Sequence, residues 1–266
     1  MDYQEILVDV QDYVATVTLN RPQKLNAYTN LMGDELTHAY TTLGKRDDVR
    51  VIIMTGAGRG FCSGADVSAV FQKQINEQDK PAPSAPQVVH PRSGLHYALY
   101  NCQKPTIAAI NGAAVGIGLT LTLVQDIRIL AEEASMGAIF ARMGLMPELG
   151  STFILPRLVG LAKALELTYT ARVVKAQEAL NIGLVNQVVP GEGLLAAARE
   201  MANQIAALPP LALAVSKRAF YQGAESDFDA AVQTETFGLD YLFKTRDHKE
   251  AVAAFLEKRT PKFHGQ

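Results

Sequence analysis

The sequence predicts an α/β fold, on three observations. Runs of β-branched and apolar residues bounded by turn residues recur before Leu194, segments of helical spacing separate them, and from Leu194 onward only helical spacing remains. A chain of 266 residues that is 48% hydrophobic can bury one large core and carry a small helical appendage. The expected division is a core over residues 1–195 and a helical region over residues 196–266.

The elements follow in order. Ile6 to Val10 and Val14 to Leu19 alternate apolar and polar around Gln11-Asp12, as two strands of a hairpin do. Asn20, Pro22 and Asn26 punctuate the loop NRPQKLNAYT, after which Thr29 or Asn30 can cap a helix through Leu31, Leu36, Ala39, Tyr40 and Leu43. Val49 to Thr55 is a buried strand by its unbroken apolar run, and the loop GAGRGFCSGAD follows it. Residues 71–93, with QKQINEQDK and PAPSAP, supply little to bury and form a surface excursion. Pattern resumes at Leu95.

Thr106 to Asp126 spells strand, glycine turn, helix. Glycines 112, 116 and 118 imply a backbone that turns sharply and lies close to something. The first turn of a helix carries amide donors without intrahelical partners, so residues 116–118 can hold a developing negative charge. Alone, the same pattern also describes a close-packed strand-to-helix turn. Beyond it come a strand at Ile127 to Ala131, helices over Gly150 to Val159 and Leu161 to Tyr169, and a last strand in LVNQVV. The final helices break at Pro209-Pro210 and near Gly223, and no internal repeat is present.

Several function classes drop out. With a formal charge of −2 and both signs scattered, there is no basic stripe for a nucleic acid. Cys62 and Cys102 form no CxxC pair, the amino-terminal MDYQE lacks the makings of a signal peptide, and no apolar run is long enough to span a membrane. A soluble cytoplasmic protein is expected. The glycines are spaced G-x-x-x-G-x-G rather than as a dinucleotide turn, and no P-loop occurs. Ser63 and Ser151 lack the frame of a nucleophilic serine, and the five histidines have no metal-ligand spacing.

Two glycine turns and one carboxylate remain. FCSGADV (61–67) and VGIGLT (115–120) each follow a strand and can each offer an N–H to one carbonyl oxygen. Glu148, in LMPEL, follows a proline just before a helix; taken alone it is a solvated acid at a helix start.

The combination NRPQKLNAYT, VIIMTGAGRGFCSGADV, KPTIAAINGAAVGIG, GLMPELGSTFILPRLVG and AFLEKRTPKF closely resembles the crotonase superfamily, the enoyl-CoA hydratases and isomerases, over nearly the whole chain. The resemblance implies a spiral of repeated ββα units and C-terminal helices that make trimer contacts, as a homotrimer or dimer of trimers. It implies an acyl-CoA thioester as substrate, with no cofactor beyond the coenzyme A that the substrate carries. It assigns an oxyanion hole to the N–H groups of Ala65 and Ile117. Substrate contacts are implied at Lys24 and Ala27, at Ser63, Gly64, Asp66 and Val67, and at Gly116, Thr120 and Phe140. Phe255 and Lys258 match family positions that touch CoA. Hydratases of the family carry glutamates where this chain has Thr120 and Phe140, neither of which can move a proton. Glu148 instead occupies the place of the single acid/base of the Δ3,Δ2-enoyl-CoA isomerase branch. Phe140, Leu145 and Met146 are expected to raise its pKa by desolvation. The expected reaction is conversion of a 3-enoyl-CoA to a 2-trans-enoyl-CoA. Hydration, thioester hydrolysis, decarboxylation and non-catalytic acyl-CoA binding are the alternatives on the same scaffold.

Overall fold

The computed structural model describes residues 2–72 and 94–266; the excursion expected over 71–93 lies, from residue 73 on, outside them. Two apolar runs without polar alternation, Val51–Gly56 (β3) and Thr106–Ile110 (β4), are buried at every residue, as parallel strands covered on both faces are. With Ile6–Gln11 (β1), Val14–Leu19 (β2), Ile127–Ala131 (β6) and Gln187–Val189 (β9), they make a six-stranded sheet ordered β1-β2-β3-β4-β6-β9. Only β1 and β2 are antiparallel. Their two-residue turn holds Asp12 and Tyr13 at φ 50° and 65°, the left-handed pair that such a hairpin needs.

A second layer consists of Ala113–Val115 (β5), Ser135–Gly137 (β7) and Val173–Lys175 (β8), with β7 in the middle. Single-residue bridges join Cys62 to Ala114 and Tyr28 to Ala65. The chain therefore repeats a pattern: a long strand in the large sheet, a short one in the second layer, then a helix. β4 and β5 lead into Ile117–Leu123 (α3), and β6 and β7 lead through a 3₁₀ turn, Ile139–Met143, to Ser151–Val159 (α4) and Leu161–Thr170 (α5). This is the expected ββα spiral. Three-residue strands are too short to show a period of two, so β7 and β8 carry no strand signal, and only the last three residues of LVNQVV enter the sheet.

Of the two expected caps, Thr29 is the one used: its hydroxyl accepts from the Met32 amide (3.1 Å) at the start of Asn30–Leu43 (α1). That helix buries Met32, Leu36, Ala39, Tyr40 and Leu43, and packs against Leu95–Tyr100 (α2). A short helix, Ala176–Asn181 (α6), precedes β9. Leu194–Ala206 (α7) lies on the large sheet, burying Leu194, Ala198, Ala202 and Ala206. Alanines four residues apart make a narrow face that lets the helix approach closely. The boundary expected after residue 195 thus falls inside a helix of the core.

The arm beyond it comprises Pro210–Gly223 (α8), Phe228–Leu242 (α9) and Arg246–Glu257 (α10). No residue of α8 or α9 is fully buried. Polar ties anchor the arm: Lys217 Nζ donates to Asp126 Oδ2 (2.7 Å) and to the Lys104 carbonyl (2.9 Å), and the Tyr221 hydroxyl donates to Asp126 Oδ1. At the neck, the Arg50 guanidinium donates to the carbonyls of Ala206 and Phe263. No helix among the described residues is long and apolar enough to cross a membrane.

Candidate active site

The two glycine turns meet. Gly64 (φ 104°) and Gly116 (φ 56°) both take left-handed backbone, and a Cβ on Gly116 would lie 3.7 Å from the Gly64 Cα. Gly112 and Gly118 have a different role from Gly116. A Cβ at either would stand 2.2 Å from a carbonyl oxygen, that of Arg59 or of Cys62, so these two serve close approach rather than a turn. Hydrogen bonds from Tyr28 N to the Gly64 carbonyl and from Asp66 N to the Tyr28 carbonyl (both 2.8 Å) fix one turn. Bonds from Cys62 N to the Ala113 carbonyl (2.9 Å) and from Val115 N to the Cys62 carbonyl (3.1 Å) register it against the other. Ala65 follows Gly64, and Ile117 is the first residue of α3. Neither N–H donates to a backbone or side-chain acceptor among the described residues. The Ile117 amide also sits at the positive end of its helix.

Glu148 reaches the same place from another repeat. Leu149 (φ 53°) and Gly150 (φ 75°) are successive left-handed residues, and a leucine there costs about 1 kcal/mol or more of strain beside the carboxylate. The Glu148 carbonyl accepts from the Ser151 amide (3.0 Å) as α4 begins. Its Oε1 accepts from the Thr120 hydroxyl at 2.8 Å. Thr120 is fully buried on α3, three residues past Ile117. One hydrogen bond therefore separates the carboxylate from the helical turn that begins with the free Ile117 amide.

Burial raises the Glu148 pKa above the ordinary carboxylate range, and the Thr120 hydrogen bond opposes the rise. By accessible surface the residue is exposed, so protein atoms crowd the carboxylate while water still reaches it and screens the shift. Leu145 and Met146 do not supply that enclosure as expected, since both are exposed; of the three expected neighbours only Phe140 is buried. The Tyr28 phenol is pushed up to about 12, first by burial and then by Glu148, and the Cys62 thiol to about 11, chiefly by burial. Both stay protonated at neutral pH. Ser151 Oγ is the one buried side-chain polar atom without a partner among the described residues.

The other expected site residues divide. Lys24 ends a 3₁₀ turn and is exposed; its carbonyl accepts from the Ser63 hydroxyl (3.4 Å), while Ser63 N donates to the Leu25 carbonyl (3.1 Å). Buried Ala27 accepts a bond from Arg21 at its carbonyl. Val67 is exposed, and Phe140 is buried in the 3₁₀ turn that precedes Glu148. Asp66 was expected to contact substrate, but its carboxylate is held by the Ser68 hydroxyl (2.9 Å), Arg21 (3.0 Å) and the Ala69 amide (3.3 Å). These partners hold its pKa down at about 2, and its side chain serves the turn. Phe255 and Lys258 are exposed at the end of α10. Sequence spacing missed Arg21, whose guanidinium pairs with both Glu5 and Asp66, and Tyr28; their partners lie far along the chain.

Unpaired amides at two abutting turns, with a carboxylate one hydrogen bond away, are groups able to stabilise a developing oxyanion and to move a proton. The chain belongs to the enoyl-CoA hydratase/isomerase family, whose sequence model matches residues 9–266. It is 36% identical to a short-chain-enoyl-CoA hydratase of Clostridium acetobutylicum over 97% of each chain. It is 34% identical to a 1,2-epoxyphenylacetyl-CoA isomerase of Escherichia coli over 98% of each. Among solved structures, an enoyl-CoA hydratase from Bacillus anthracis superimposes with a TM-score of 0.89 at 34% identity, covering 99% of this chain and 100% of that one.

Proposed function

We propose that the protein shifts the double bond of a 3-enoyl-CoA to give the 2-trans-enoyl-CoA, with Glu148 as its single acid/base. The carrying observation is the Glu148 carboxylate held at 2.8 Å by Thr120, at a position where a hydratase of this family has a second carboxylate. Glu148 removes a proton from C2, and the electrons move into the thioester to form an enolate. The N–H groups of Ala65 and Ile117 hold the enolate oxygen, each worth on the order of 3 kcal/mol. Glu148 then returns the proton at C4. Atoms and electrons balance within the substrate, so the reaction draws on no cofactor beyond the substrate's own CoA. A raised pKa suits the task, because a carboxyl that both takes and gives a proton works best near the ambient pH.

Hydration of a 2-enoyl-CoA is the second reading, favoured by hydratase names among the relatives. It needs one group to activate water and another to supply a proton, and Thr120 and Phe140 offer neither. Purified enzyme given 3-hexenoyl-CoA and, separately, crotonyl-CoA distinguishes the two. Isomerisation should dominate, and Glu148→Gln should lose roughly 10²–10⁴-fold in kcat while still binding substrate. Rapid hydration of crotonyl-CoA, or wild-type isomerisation by the Gln variant, would sink the single-base reading.

A further inference from the structure

The Thr120 hydroxyl has one proton and two acceptors in reach: Glu148 Oε1 at 2.8 Å and the carbonyl of Ile117, in its own helix, at 3.1 Å. Thr120 is fully buried, so it has no water to turn to, and one of these acceptors must be served. A carboxylate accepts more strongly than an amide carbonyl, whereas a protonated carboxyl does not. The charge on Glu148 therefore decides where the hydroxyl points.

We infer that Thr120 is a positioning residue for proton transfer. Its hydroxyl pins Oε1 while Glu148 is ionised, leaving Oε2 as the atom that takes the C2 proton, and swings to the Ile117 carbonyl once the carboxyl is protonated. No proton leaves Thr120; only the O–H rotates. Pinning one oxygen removes the carboxylate's freedom to present either, and keeps the working oxygen aimed at both carbons between which it must carry the proton. This rests on Glu148 being the acid/base.

The surroundings leave the effect readable in a pH profile. Of the titratable groups that bear on Glu148, Tyr28 ahead of α1 and Cys62 after β3 stay protonated through neutral pH. No side chain on α3 titrates, and Arg142 in the 3₁₀ turn and Arg157 on α4 do not contribute to the Glu148 shift.

The test compares kcat/KM against pH for wild type, Thr120→Val and Thr120→Ser. Valine keeps the shape and removes the hydroxyl. The carboxylate loses a donor, so its pKa rises, and the acid limb should move up by about one pH unit with kcat down roughly tenfold and KM little changed. Serine should restore the limb to the wild-type position. Should the Val variant not fold, Thr120→Ala carries the same comparison. A hydroxyl-free variant with the wild-type limb, or a Ser variant with a displaced one, overturns the role. If Glu148→Gln is inactive in that same series, the base assignment stands and only the part given to Thr120 falls; if it is fully active, both fall.

Discussion

At the scale of single residues, Glu148 is held against its own preference. Protein around it disfavours the charged form, and the adjoining left-handed leucine adds strain. A carboxyl whose pKa is higher folded than unfolded adds stability only below its unfolded pKa, and that contribution is lost as pH rises through the folded pKa. At neutral pH the ionised group therefore costs the fold. Glu148→Gln should raise the melting temperature at pH 7 slightly, because the residue is exposed and water screens the effect, and calorimetry should show the gain vanish below about pH 4, where the glutamate is neutral as well. The residue that the chemistry needs is one that the fold would be steadier without. Glu148 was legible because it stands inside a contiguous motif, LMPEL, before a helix. Its partner Thr120 was placed in the site as a substrate contact; the hydrogen bond between them joins positions 28 residues apart, which no local spacing encodes. Asp66 lies in the motif too, but the pairing of its carboxylate with Arg21, from another loop, is set by the fold and not by local spacing.

At the scale of elements, the site depends on how closely α3 docks on the turn that holds Cys62. Gly118 sets that distance, since a Cβ would meet the Cys62 carbonyl at 2.2 Å and its Cβ at 2.9 Å. Backbone cannot step aside as a side-chain tip can. Gly118→Ala should push the Ile117 amide away from Ala65, costing about 1–3 kcal/mol in denaturant unfolding and more than tenfold in kcat/KM. Gly193→Ala is the control: it has open space and ordinary right-handed backbone, so it should change neither. A wild-type rate in Gly118→Ala would mean that the two turns need not meet so closely. Long apolar strands and the main helices were readable because many residues repeat the same preference. β7 and β8 were not, because a three-residue strand is fixed by its neighbours in the ladder and hardly at all by its own residues.

At the scale of the whole molecule, the arm carries aromatic surface that the described residues leave uncovered. Phe220, Phe228, Phe237 and Phe255 are 79%, 81%, 74% and 82% exposed. So many large side chains left in water on one set of helices predict a homo-oligomer, a trimer or a dimer of trimers. Light scattering at micromolar concentration should return a multiple of the 28.8 kDa chain, and Phe237→Asp should lower it. A stable monomer in the wild type would refute this. Arg50, with its guanidinium over the Tyr13 ring at 4.2 Å, joins the carbonyl where the arm departs, Ala206, to the one where the chain returns, Phe263. The arm is a closed loop tied at its neck. Closure entropy grows only with the logarithm of loop length, about 0.6 kcal/mol for each doubling, so helices in the arm can lengthen or shorten at little expense to the core. Because Arg50 holds both ends of that loop, while Lys217 and Tyr221 hold α8 to Asp126 and Glu225, just beyond α8, holds Tyr100, neither end of the arm is free to fray on its own.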